Sequence, residues 1–459
     1  MLHRRDAMLR LGRVGLGGLT LPSLLQSQSL SAAISPGRAT TGKAKSCILI
    51  YLWGGPPQQD MWDMKPDSPV GIRSLFQPIP TVVPGIDVCE HMPNFARHTD
   101  KVALVRSLTH DSNNHEPSVY RTLTGHINNT LAVPRNQRSR RDFPNIGSVV
   151  SYFTPTGEMP ATVTIPRPIG HDGSTYAGTY AGFLGGQHDP MEVAAAEETT
   201  EKPTHPVILP PEIAETRLLA RQGLLKTIEQ AERQLEKSRS LGDLNSYRQQ
   251  AFSMLSSPEA KRAFRIELED PKTRDRYGRN EWGEAILLAR RMVEAGVKLV
   301  TISWMYIQKG GNVANVWDNH GPFEGHNGTD MLKQTYCLPS LDQGYGALMD
   351  DLASCGLLED TLVAMWGEFG RTPKLNPATG RDHWGAVQTA CLAGGGIRGG
   401  QVFGSSDKDA AFPTSNPVSP EDMLATVYHA LGIDSEAMMR DPFGRPIRVV
   451  EGNPITALF

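Results

Sequence analysis

Ser46-Cys-Ile-Leu-Ile-Tyr-Leu-Trp53, followed at once by Gly54-Gly-Pro-Pro57, is the stretch whose reading decides the fold. Eight residues without a charge, closed by turn formers, form a strand covered on both faces, as in the middle of a parallel sheet. Similar runs recur at Lys101 to Arg106, Lys298 to Trp304, Thr361 to Trp366 and Val387 to Ala393. Helical periodicity fills several of the gaps. Asn280 to Ala295 carries apolar residues at helical spacing and stops at Gly296, and Leu338 to Cys355 does the same and stops at Gly356. Strands alternating with helices predict an α/β sandwich with a central, mostly parallel sheet and helices on both faces.

Working outward, Pro211 to Phe264 is charged and nearly free of glycine, with apolar residues three and four apart. It is predicted to be a helical insert. Gly170 to Pro206, rich in Gly, Pro, Ala and Thr, is predicted to loop over one edge of the sheet. At the N-terminus, Arg4-Arg5 precedes a short apolar stretch from Val14 to Leu25 and small residues at Ser31-Ala-Ala33. This is the pattern of a twin-arginine signal over residues 1–33, which predicts export to the periplasm or beyond. Nothing after it approaches the roughly 20 apolar residues of a membrane span. A net charge of -3 excludes a strong field for nucleic acid. The five cysteines form no C-x-x-C pair, which argues against a zinc knot. Cys47 and Cys391, inside apolar runs, read as small core residues.

Ligands of open α/β sheets gather at the carboxyl ends of the strands. The loops expected there are rich in carboxylates and imidazoles: Gln58-Gln-Asp60, His110 to Ser118, Trp317-Asp-Asn-His320, Gly367-Glu-Phe-Gly-Arg-Thr-Pro373 and Gly380-Arg-Asp-His-Trp-Gly385. Such a set suits a divalent metal with mixed nitrogen and oxygen ligands, zinc or manganese. Gly394-Gly-Gly-Ile-Arg-Gly399 matches a dinucleotide-binding pattern, but Gln401-Val-Phe-Gly404 after it does not open a helix, so it reads as a turn. Ser118 is expected to cap the helix that follows, and the tryptophans near strand ends, Trp53, Trp62, Trp304, Trp317, Trp366 and Trp384, are expected in the core.

This arrangement resembles the alkaline phosphatase–sulfatase superfamily and, within it, the exported family known as domain of unknown function 1501. The resemblance spans about residue 45 to 459. It rests on the first strand with Gly-Gly-Pro-x-x-x-Asp, the Gly367–Pro373 loop and Gly380–Gly385. His115-Glu-Pro-Ser-Val-Tyr-Arg-Thr-Leu-Thr-Gly125 is similar to the sulfatase signature, with Pro117, Ser118, Leu123, Thr124 and Gly125 matching. His115 stands at the nucleophile position and Val119 at the signature arginine, which removes formylglycine chemistry. The resemblance implies two metal sites, one from Asp318, His320 and His383, the other from Asp60, Glu368 and His115, with Phe369 replacing a ligand. It leaves open whether two ions, one or none are bound. Arg371 is expected to meet an oxyanion, and His115 or a water activated by the metal would attack. The implied activity is hydrolysis of phosphate or sulfate esters, small or on polysaccharide. The alternative is a non-catalytic, metal-stabilised binding protein.

Overall fold

The computed structural model describes residues 42–127, 139–154, 157, 159–171, 175–193, 257–308 and 311–459. The expected signal lies outside these residues, as does the helical insert except for its end, where a short helix spans Pro258–Ala263.

The sheet strands are β1 Ser46–Tyr51, β2 Val102–Leu108, β3 Thr162–Ile165, β4 Met191–Glu192, β5 Leu299–Ser303, β6 Thr361–Trp366, β7 Gln388–Ala393 and β8 Gln401–Phe403. They form one eight-stranded sheet in the order β8-β2-β7-β6-β1-β5-β3-β4. β1 is central and parallel to both neighbours, with Cys47 facing Leu299 on one side and Leu362 on the other. Only β7 is antiparallel to the strands beside it. Its start therefore lies at the edge where the other strands end, which brings the segment before it to the same edge as the loops that follow β1, β2 and β6.

Side chains of β1 alternate between two cores. Ile48, Ile50 and Leu52 pack into one with the helices α4 (Glu281–Glu294) and α5 (Leu338–Ser354). Cys47, Leu49, Tyr51 and Trp53 pack into the other with α2 (His115–Thr124), α3 (Ile146–Phe153) and α6 (Pro420–Ala430). Helices on both faces explain why the strand carries no polar face. Local signals set the helix ends. The Asn280 side chain accepts from the Gly283 N–H at 2.9 Å, and Ser419 with Asp422 forms a capping box.

Some details differ from expectation. Ser118 is not a cap: it lies inside α2, fully buried, with its hydroxyl 3.4 Å from the Ser112 carbonyl. The segment from Gly170 contributes an edge strand, β4, beside β3. Gly394, Gly395 and Gly396 all have positive φ and turn the chain from β7 toward β8, a strand and not a helix. All five cysteines are free, Cys47 and Cys391 are buried, and Trp53, Trp62, Trp304, Trp317 and Trp366 are core residues, whereas Trp384 is only partly buried.

Candidate metal centre

His115 is the first residue of α2, Asp318 and His320 follow the turn at Asn315, Glu368 follows β6, and His383 pairs with Arg371 in a two-residue antiparallel ladder. The backbone must pass closely for these loops to meet. Gly54, just after β1, has φ +120°, and a Cβ there would lie 2.4 Å from the Asp318 nitrogen. No side chain fits at that point. The Gly54 N–H is instead aimed at the Glu368 carboxylate, 2.9 and 3.1 Å from its two oxygens.

Asp318 is the hub. Its Oδ1 lies 2.7 Å from His320 Nδ1, 3.0 Å from His383 Nε2 and 2.7 Å from Arg371 Nη2, and its Oδ2 lies 3.2 Å from His115 Nε2. Burial alone would raise its pKa, but the Arg371 charge and the three imidazoles hold it well below the usual carboxylate range. The ligand atoms of His115, Asp318 and His383 all fall within 4.8 Å of one another.

Both imidazoles are oriented from behind. His115 Nδ1 is 2.6 Å from Glu368 Oε1, and His383 Nδ1 is 3.0 Å from the Asn113 carbonyl oxygen. Carboxylate and carbonyl oxygens only accept, so each Nδ1 carries the hydrogen. In a neutral ring each Nε2 is then a lone pair, and both lone pairs face the oxygens of Asp318. Acceptor against acceptor at about 3 Å is repulsive unless a cation is shared between them. Two imidazole nitrogens and a carboxylate, each imidazole fixed by an outer partner, form a donor set that fits a divalent metal with open coordination positions. Without metal a proton on His115 takes that place. Burial would lower the His115 pKa, but its hydrogen bonds to Asp318 and Glu368 and the charge of both push it up to about 9. His320 is also raised, chiefly by its hydrogen bond to Asp318. Phe369 stacks on His383 with centroids 4.6 Å apart and lies 5.0 Å from His115, so it packs both rings in place.

The structure thus brings His115, Asp318 and His383 together, with His320 half exposed at the rim and Glu368 buried behind His115. Asp60 does not join them. It lies in a four-residue helical turn, α1 (Gln58–Met61), where its carboxylate accepts from Arg381 Nε at 2.8 Å and the Ser74 hydroxyl at 2.8 Å. Both Asp60 and Arg381 are fully buried. Arg371 is likewise sealed from solvent. It donates to the carbonyls of Gly54, Gly55, Trp317 and Arg381 as well as to Asp318, so its guanidinium braces the hub and does not face an incoming group. His110 accepts from the Ser112 N–H and donates to the Glu368 carbonyl, a bracing role in which burial lowers its pKa.

Sequence reasoning missed several neighbours. Asn315 Nδ2 reaches Asp318 Oδ2 at 3.2 Å and His115 Nε2 at 3.3 Å. The His171 ring lies 6.4 Å from that of His115 and packs on Trp53. Asn315, three residues before Asp318, and His171, just beyond a short strand, were visible only as ordinary loop residues. Arg381 lies within Gly380–Gly385, but nothing in that local sequence points it toward Asp60.

The fold and cluster define an α/β protein with a centre of one carboxylate and two histidines, all partly buried, at the carboxyl edge of its sheet. The chain belongs to the family described as protein of unknown function (DUF1501), whose model matches residues 44–459. No curated protein matches it in sequence. Solved structures similar to it include the PsFucS1 sulfatase from Pseudoalteromonas sp., at 12% identity over 89% of this chain and 70% of that one, TM-score 0.39. The phosphonate monoester hydrolase SpPMH from Silicibacter pomeroyi is similar at 11% identity, over 90% and 76%, TM-score 0.38. A protein in the alkaline phosphatase superfamily from Vibrio parahaemolyticus is similar at 11%, over 94% and 76%, TM-score 0.36.

Proposed function

We propose that this chain is a metal-dependent hydrolase of phosphate or sulfate esters, of alkaline-phosphatase-like descent, in which His115, Asp318 and His383 hold one divalent ion, zinc or manganese. The observation that carries this reading is the pair of oriented Nε2 lone pairs facing Asp318. A second ion is not favoured: Asp60 is committed to Arg381, and Gly54 leaves no donor at the end of β1. Glu368 orients His115, and Arg371 fixes Asp318.

When bound, the ion would act as a Lewis acid on the phosphoryl or sulfuryl group. The rest falls to the chain. The N-terminus of α2, with His115 as its first residue, favours an anionic group. His320, with Nδ1 tied to Asp318 and its ring half exposed, is the imidazole placed to take up or deliver a proton at Nε2. Among the described residues no serine, threonine or cysteine hydrogen-bonds to His115, Asp318 or His383, so in this reading water is the attacking group, and His115, held at both nitrogens, is a ligand.

Residues 1–33 are proposed to direct export by the twin-arginine route. Among the described residues no helix is long and apolar enough to cross a membrane. The missing hydroxyl nucleophile also favours a second reading, a metal-stabilised binding protein without turnover. Metal analysis of the purified chain, with a panel of chromogenic phosphate and sulfate esters, separates the two. Turnover that disappears in His115→Ala together with about one equivalent of metal supports the hydrolase. Full metal content without turnover on any ester supports the second reading, and no bound metal sinks both.

A further inference from the structure

A mostly buried arginine is seldom without hydrogen bonds, because its guanidinium stays charged and presents five N–H groups. Arg371 and Arg381 follow that rule, each with several acceptors. Arg106 does not. It is the single partly exposed position of β2, its side chain 19% exposed. Its Nε is sealed from solvent with no hydrogen-bond partner. Its ion-pair contact is Asp63 Oδ1, 3.7 Å from Nη1 and beyond hydrogen-bond range.

Asp63 is already engaged. Lys65 Nζ lies 3.0 Å from its Oδ1, and the Ser406 hydroxyl donates to its Oδ2. Arg106 stands on the wall of a cavity of about 520 Å³ that Lys65, Lys408 and Asp409 also line. Asp409 is paired with Lys408 through Oδ2 at 2.9 Å, while its Oδ1 is buried without a hydrogen-bond partner. The other lining carboxylates, Asp67 and Asp87, are exposed, where water screens them. The cavity therefore holds one guanidinium whose N–H donors are largely unmatched by protein acceptors.

We propose that this cavity is a second binding site that takes an oxoanion group, a sulfate, phosphate or carboxylate, on the Arg106 guanidinium with Lys65 as the neighbouring cation. A planar fork of N–H donors matches two oxygens of such a group, and an anion there would supply acceptors to the Nη groups, which Asp63 does not reach within hydrogen-bond range. The site shares no residue with the His115–Asp318–His383 cluster and does not depend on metal there.

The test is calorimetric titration of the full chain and of Arg106→Gln with inorganic sulfate, inorganic phosphate, galacturonate and neutral galactose, at fixed ionic strength. One oxoanion equivalent beyond any held at the metal centre should bind the natural chain and weaken at least tenfold in Arg106→Gln, with metal content unchanged. Arg106→Lys, a point charge without the fork, should fall between. Binding of sulfate or phosphate alone identifies a free oxoanion as the occupant. Galacturonate binding without galactose binding identifies the acidic group of a saccharide. Equal binding by Arg106→Gln, or no binding by the natural chain, overturns the proposal. Should Arg106→Gln fail to fold, Lys65→Gln, at a partly exposed position, should weaken binding at least threefold, and unchanged binding there overturns it equally.

Discussion

Glu368→Gln separates an orienting carboxylate from a ligating one. Glu368 is fully buried, its Oε1 lies 2.6 Å from His115 Nδ1, and both its oxygens accept from the Gly54 N–H. Glutamine keeps the shape and one acceptor oxygen for His115 but loses the charge that makes the imidazole a stronger donor to metal. Its amide hydrogens must also face the Gly54 N–H, which adds to the loss. Removing an outer-shell partner of this kind lowers metal affinity by about 10- to 100-fold, or about 1.4 to 2.8 kcal/mol. Had Glu368 been a ligand, as the sequence comparison implied, its replacement would match His115→Ala, which deletes one of three donors and should leave no retained zinc after gel filtration. Chelator-competition titration with zinc, backed by elemental analysis, measures both variants. Glu368→Gln indistinguishable from His115→Ala would refute the orienting role, and so would an affinity equal to that of the natural chain.

Three further outcomes are expected. In the metal-free chain the His115 pKa is raised from an ordinary 6.5 to about 9, so the stability it contributes is fully present below about pH 6.5 and is lost as pH rises through 9. Metal must displace that proton; zinc affinity should climb about tenfold per pH unit toward pH 9 and then level, and a flat titration between pH 6.5 and 9 contradicts the assignment. Asp60→Asn leaves Arg381 buried without its anion, which should cost about 3 to 5 kcal/mol in denaturant unfolding while metal stoichiometry stays unchanged; a lost equivalent of metal would return Asp60 to the ligand set. Replacing Arg4 and Arg5 together by lysine should hold the precursor in the cytoplasm, and undiminished export through the twin-arginine route would remove that assignment.

The sequence by itself determined the elements and the edge at which chemistry collects. An uncharged run such as Ser46 to Trp53 has one stable environment, the middle of a sheet covered on both sides, and strand ends followed by Asp, His and Glu announce a polar edge. The caps at Asn280 and Ser419 act between residues three apart, so they too are readable along the chain. Partnership was decided only by the tertiary structure. Asp60 and Glu368 both follow apolar strands, yet one faces Arg381 and the other His115. Arg371 looked like a free cation in a loop and is instead enclosed by four carbonyls and Asp318. The contacts that define the centre join residues 253, 203 and 65 positions apart. Local periodicity reflects forces between near neighbours, whereas the direction of a side chain at such separations is fixed by how whole strands and helices pack.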